Sequence, residues 1–172
     1  MKKLLVSLGL LILFSLFLSR PAFASPVAGA SAQLKNDTNQ KDERVEKLAF
    51  FLAGHNSPLS QFADCFVEAA DKYGLDWKLL AAISGIESTF GKRIPANSFN
   101  AYGWGNGQIH FESWQQSIDH VSRILAEKYV AKGLDTPDKM APIYAPPSDS
   151  WAGKVNYFME KIDQACPLCL TL

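Results

Sequence analysis

The sequence predicts a mainly α domain with a small loop or β-hairpin lobe. Apolar side chains recur at helical spacing through most of the chain beyond residue 44, and no alternating strand run of any length appears. The exception is the stretch from Lys92 to Phe111, which is crowded with turn-forming residues.

The chain opens with Met1-Lys2-Lys3, an almost wholly apolar run from Leu4 to Leu18, and then Ala22-Phe23-Ala24. A basic start, a short apolar core and a small-x-small site read as a secretory signal peptide over residues 1–24. The alternative is an uncleaved membrane anchor, but the run is shorter than the ~20 residues that span a bilayer comfortably. The expectation is an exported protein, secreted or held in the cell envelope (periplasmic where the host has an outer membrane), with no membrane contact after cleavage. No Cys follows the site, which argues against a lipoprotein. Residues 25–44 are polar and too poor in large apolar side chains to offset their ordering entropy, so a flexible linker is expected there. Residues 45–172 suffice for one compact domain.

The helices follow in order. Ser57-Pro58 resembles an N-cap followed by proline at the first helical position, and Leu59, Phe62, Phe66, Ala69 and Tyr73 share one face before Gly74 ends the helix. Asp76 suits the next N-cap, Leu79, Ile83, Ile86 and Phe90 form a stripe, and Gly91 fits the stop. Beyond the turn-rich stretch, Ser113-x-x-Gln116 has the form of a capping box. It opens a long amphipathic helix marked by Trp114, Ile118, Val121, Leu125 and Tyr129. Pro142, Pro146 and Pro147 are expected to bound a loop around Tyr144. Trp151, Val155, Phe158, Met159 and Ile162 mark the last helix.

Charge and cysteines narrow the function. The chain holds 17 basic and 17 acidic residues, and removal of Lys2, Lys3 and Arg20 leaves 14 basic against 17 acidic. That balance argues against a nucleic-acid partner. In an oxidising compartment two of Cys65, Cys166 and Cys169 can pair. A Cys65–Cys166 bridge would staple the last helix to the core, and the rival is a local Cys166–Cys169 bridge. His55, His110 and His120 lack metal-ligand spacing and the cysteines complete no zinc pattern, so neither metal nor cofactor is expected.

Glu87 is the carboxylate of interest. It follows Ile83 by one helical turn, so it projects from or beside the apolar stripe, and it lies in the last turn, where the helix dipole disfavours negative charge. Both effects favour the protonated acid, and a glutamic acid kept neutral near neutral pH is what general-acid cleavage of a glycosidic bond requires. The plain alternative is a boundary glutamate, half exposed and bonded to Ser88 or a nearby amide. Downstream, Asn100, Tyr102, Trp104 and Gln108 are side chains suited to sugar faces and hydroxyl edges, and Gly103, Gly105 and Gly107 would let a ligand approach the backbone. For Tyr102 and Trp104 the alternative is simple packing.

The run Ile86-Glu87-Ser88-Thr89-Phe90-Gly91 followed by Asn100-Ala101-Tyr102-Gly103-Trp104-Gly105 resembles the lysozyme-like superfamily, most closely its bacterial glucosaminidase branch, the endo-β-N-acetylglucosaminidase-like domains. Phe111-Glu112-Ser113-Trp114, Tyr144-Ala145 and Trp151-Ala152-Gly153-Lys154-Val155 extend the likeness over about Phe62 to Ile162. The resemblance implies a lysozyme-like helical fold and a groove for a peptidoglycan strand of alternating N-acetylglucosamine and N-acetylmuramic acid. It implies that Glu87 is the general acid and that Tyr144 matches an active-site tyrosine, with Ser88, Asn100, Tyr102, Trp104 and Gln108 as substrate contacts. The Gly-Leu-Met-Gln segment of many lytic transglycosylases is absent, and Gly105-Asn106-Gly107-Gln108 stands nearest to it. No second carboxylate occupies an evident partner position, although Glu112 and Asp119 are candidates. The expected activity is glycan hydrolysis. The alternatives are lytic transglycosylation to anhydromuramyl ends and a non-catalytic glycan-binding protein.

Overall fold

The computed structural model describes residues 42–170. The expected signal peptide and nearly all of the expected linker lie outside the described residues. Among the described residues the fold is mainly α, with no strand. Its helices are α1 (Glu43–Gly54), α2 (Ala63–Tyr73), α3 (Leu79–Ser88), α4 (Trp114–Lys128), α5 (Pro137–Tyr144) and α6 (Trp151–Asp163), with 3-10 turns at Pro58–Phe62, Val130–Lys132 and Pro167–Leu170.

The capping signals act largely where expected. Ser57 accepts from the Leu59 amide and places Pro58 at the start of the first 3-10 turn, which leads into α2. Gly74 ends α2 in the left-handed region at φ 68°. At α4, Ser113 accepts from the Gln116 amide, while the Gln116 side chain reaches back to the Glu112 amide rather than to that of Ser113. Three helices differ from expectation. α3 begins at Leu79 with Lys78 rather than Asp76 at its N-cap position, and Asp76 accepts from the Lys78 amide in the turn before it. α1 begins at Glu43, inside the segment expected to be linker, because Asp42 caps the Arg44 amide and Arg44 binds Asp71 of α2 through both carboxylate oxygens. α5 replaces the expected loop around Tyr144. Thr136 caps it, Pro137 suits its first turn, and buried Met140 holds it down, so the one hydrogen bond that Pro142 removes is tolerated.

α3 is the centre of the body. Leu79 through Ser84 are all buried, so it is apolar nearly all round rather than along one stripe. α6 packs against it, α2 packs on α4, α5 packs on α6, and α1 contacts both α2 and α6. Gly91 is not the first left-handed residue after α3. Thr89, Phe90 and Gly91 take φ values of 54°, 56° and 78° in succession, and the Phe90 amide closes back onto the Ser84 carbonyl. That reversal drops the Phe90 ring over Gly85, where a Cβ would lie 2.6 Å from the ring. Phe51, His55 and Phe158 surround the ring. The chain is thus turned back directly after Glu87.

Of the two bridges the sequence allows, the local one forms and Cys65–Cys166 does not. Cys166 pairs with Cys169, and Cys65 is free and half-buried. Cys65 sits on α2 beside Gln115 and Asp119 of α4, whereas Cys166 lies beside Glu43, Glu46 and Lys47 of α1. The 3-10 turn brings Cys166 and Cys169 to a Cα separation of 5.4 Å, within bridging range.

Candidate active site

The segment between α3 and α4 forms turns rather than a β-hairpin. Left-handed residues at Asn97, Phe99, Gly103, Gly105, Asn106 and Gly107 prevent any run of extended backbone. Asn100 organises it from within. Its amide nitrogen donates to the Trp104 and Ile109 carbonyls at 2.8 and 2.9 Å, and its oxygen accepts from the Trp104 amide at 3.0 Å. Ser88 joins this segment to α3: its hydroxyl lies 2.8 Å from the Ala101 carbonyl and accepts from the Gly91 amide at 2.8 Å. Ser88 and Asn100 are therefore buried framework rather than exposed substrate contacts. Their polar atoms satisfy buried backbone groups that would otherwise be left unpaired.

The frame places a groove of about 460 Å³ over the end of α3, lined by Glu87, Tyr102, Gly103, Trp104, Gly105, Asn106, Tyr129, Tyr144 and Ala145. Glu87 is half-buried and is the only charged residue of α3. Its Oε1 accepts the indole N–H of Trp151 at 2.9 Å. Its Oε2 faces Gly103, where a Cβ would stand 3.0 Å away. Burial pushes the Glu87 carboxyl above the usual carboxylate range, and the Trp151 hydrogen bond opposes that in part.

Tyr144, at the end of α5, lies against Trp151 with ring centroids 4.8 Å apart and planes 27° from parallel. Its hydroxyl donates to the Tyr102 carbonyl at 2.9 Å. Burial, and then the charge of Glu87, hold the Tyr144 phenol well above its ordinary range, so it stays protonated. Trp104 stands at the groove as expected, half-buried, with its ring 6.4 Å from that of Tyr144.

Two expected contacts are placed elsewhere. The Tyr102 ring is buried in the core and its polar group nearest the groove is the carbonyl bonded to Tyr144. Gln108 is exposed and outside the lining, because the turn closed by the Gly107 and Gln108 amides carries it past the groove and presents Asn106 instead. The candidate partner carboxylates are also absent from the lining. Glu112 is exposed before α4, and Asp119 pairs with Lys72 at 2.6 Å and with the Tyr73 hydroxyl at 3.0 Å in a separate cleft.

Trp151, Tyr129 and Asn106 are the site residues that the sequence reading did not single out. Trp151 carried a usable signal: an indole N–H in a buried stripe needs an acceptor, and the buried helix beside it offers one side-chain acid, Glu87. Among the described residues no group of three or more His, Cys, Asp or Glu side chains could hold a metal ion, and no helix is long and apolar enough to cross a membrane. No family model matches the chain, and no curated protein compared with it matches.

Proposed function

We propose that this domain cleaves the glycan strand of peptidoglycan as a lysozyme-like, glucosaminidase-type hydrolase, with Glu87 as general acid. The observation that carries the reading is a half-buried glutamic acid, raised above its ordinary value, at the floor of a groove walled by Trp104, Tyr129 and Tyr144. Aromatic rings cover the apolar faces of sugars, and Asn106 and the backbone at Gly103 and Gly105 suit their hydroxyl edges. Glu87 gives its proton to the glycosidic oxygen as the C1–O bond breaks, and water completes the hydrolysis. Export to the cell wall is part of this proposal and rests on the N-terminal sequence pattern.

One observation favours a second reading. No other carboxylate lines the groove among the described residues, which favours routes in which the substrate itself takes part. Its N-acetyl oxygen can attack the anomeric carbon ahead of water, which keeps the outcome hydrolytic. Its muramyl 6-hydroxyl can attack instead, which makes the enzyme a lytic transglycosylase. Digestion of purified cell wall followed by mass spectrometry separates them: new reducing ends support hydrolysis, and anhydromuramyl ends without them overturn it. Glu87→Gln must abolish either product. Equal clearing of wall suspensions by wild type and variant, or clearing by neither, sinks the assignment of Glu87, and glycan binding without cleavage would leave a binding protein.

A further inference from the structure

The hydrogen bond between Trp151 and Glu87 distinguishes the two oxygens of the acid. An indole N–H donates and cannot accept. A neutral carboxyl has one O–H and one carbonyl oxygen, and the carbonyl oxygen is the better acceptor. We infer that Trp151 is a positioning residue that holds Oε1 of Glu87 as the acceptor and leaves the proton on Oε2, facing the groove at Gly103. The inference rests on the general-acid reading of Glu87.

The surroundings hold the indole for this task. Trp151 is 3% exposed at the start of α6. Tyr144 stacks on it, and the Tyr144 hydroxyl is tied to the carbonyl of Tyr102, the residue before Gly103. One connected frame therefore holds Trp151, Glu87 and the glycine that leaves Oε2 open. When the proton moves, the Oε2–H bond breaks, the proton joins the glycosidic oxygen, and that oxygen keeps the electron pair of the broken C1–O bond. The negative charge left on Glu87 then strengthens the N–H···Oε1 hydrogen bond. The titratable groups that share the groove with Glu87 are Tyr129 after α4 and Tyr144 of α5, and the phenol of Tyr102 in the connecting segment is buried in the core. Burial raises all of these phenols, so none is ionised near neutral pH.

The test uses the full chain with Trp151→Phe and with the sulfur isostere 3-benzothienylalanine at position 151, which keeps the bicyclic shape and removes the N–H. Expected are a fall in kcat of about tenfold with KM held, and a basic limb of the pH–rate profile moved up by about one pH unit, because the lost hydrogen bond stabilised the charged acid. A merely structural tryptophan would lower the folded fraction and leave that limb in place. Independently of activity, the indole ¹H–¹⁵N resonance of Trp151 should titrate with Glu87 in the wild type and become flat in Glu87→Gln. An unmoved basic limb in the isostere, or an indole resonance flat through the titration of Glu87, overturns the inference. A wild type that cleaves no glycan overturns the enzymatic reading instead, and the indole titration then decides by itself whether Trp151 holds Glu87.

Discussion

Glu87 and Asp119 are carboxylates in two clefts of one helical body, and their surroundings drive them in opposite directions. Asp119 shares a cleft of about 220 Å³ with Cys65, Glu68, Ala69, Lys72 and Gln115. The Lys72 ammonium, helped by the Tyr73 hydroxyl, holds its carboxyl below the usual range despite some burial. Among the described residues Glu87 has no cation beside it, only a donor indole, and burial raises it. Partner and solvent decide which of two similar groups is an ion and which is an acid. The surroundings of Glu87 favour the protonated form, and those of Asp119 favour the ion.

The largest expected effect tests that contrast directly. Glu87→Gln should reduce wall cleavage by about 10³-fold, within the range for removal of a general acid, whereas Asp119→Asn should leave the rate within about twofold, since exposed ion pairs contribute little. Turbidity clearance of purified wall measures both. A comparable loss in Asp119→Asn would make it the missing partner carboxylate and break the comparison.

The sequence made the helical frame around both clefts legible, through periodicity and caps. The stripes of α4 and α6 emerged because their buried positions repeat at helical spacing, and Ser113 and Gly74 marked ends that the structure keeps. α5 stayed hidden because Pro142 and the following Pro146-Pro147 outweigh a short apolar pattern. Glu87 was legible because helical phase put it beside the apolar stripe, in the last turn of its helix, ahead of a stretch rich in aromatic residues, Asn and Gly. Ser88 and Asn100 were misplaced for a physical reason. Polar side chains able to bond a sugar hydroxyl can equally bond a buried backbone amide, and residue type alone does not separate the two uses. Only the coordinates tie the Asn100 amide to Trp104 and Ile109. Asn100→Ala should therefore destabilise by about 2–3 kcal/mol, the cost of leaving buried backbone groups unpaired. Urea denaturation measures it. Unchanged stability with a raised KM would return Asn100 to the substrate surface.

Gly103 sharpens the comparison at smaller scale. A methyl group there would press on Oε2 of Glu87 at 3.0 Å, and φ of 63° disfavours any side chain. Gly103→Ala should lower kcat about tenfold, since small misplacements of a reacting group carry losses of that order or more, and it should cost about 1 kcal/mol of stability from the left-handed backbone. Gly133, at φ 78° with open space around it, is the control for the backbone part: Gly133→Ala should show the stability loss without the kinetic one. Equal kinetics in the two variants would mean that Oε2 needs no clearance.

The smallest effects lie in the pH dependence of stability, where the two acids differ in sign. Folded Glu87 keeps its proton at a pH where the unfolded chain, with an ordinary value of 4.5, has lost it. Stability from this group is full below that value and is lost as pH rises through the raised folded value. Glu87→Gln removes the term, so its melting temperature should gain on wild type by a few degrees as pH rises from the ordinary value through the raised folded value. Asp119 runs the other way. Its folded value lies below the ordinary 3.8, so its contribution is present at neutral pH and is lost as pH falls through the lowered folded value. Asp119→Asn should therefore cost a little at neutral pH and nothing in strong acid, the amount kept small by the half-exposed side chains of the Lys72 pair. Thermal denaturation of wild type and both variants across pH reads the opposed slopes. Parallel curves for Glu87→Gln and wild type would mean that the folded protein does not hold Glu87 neutral, and the groove would then lose the property that distinguishes it from the cleft at Asp119.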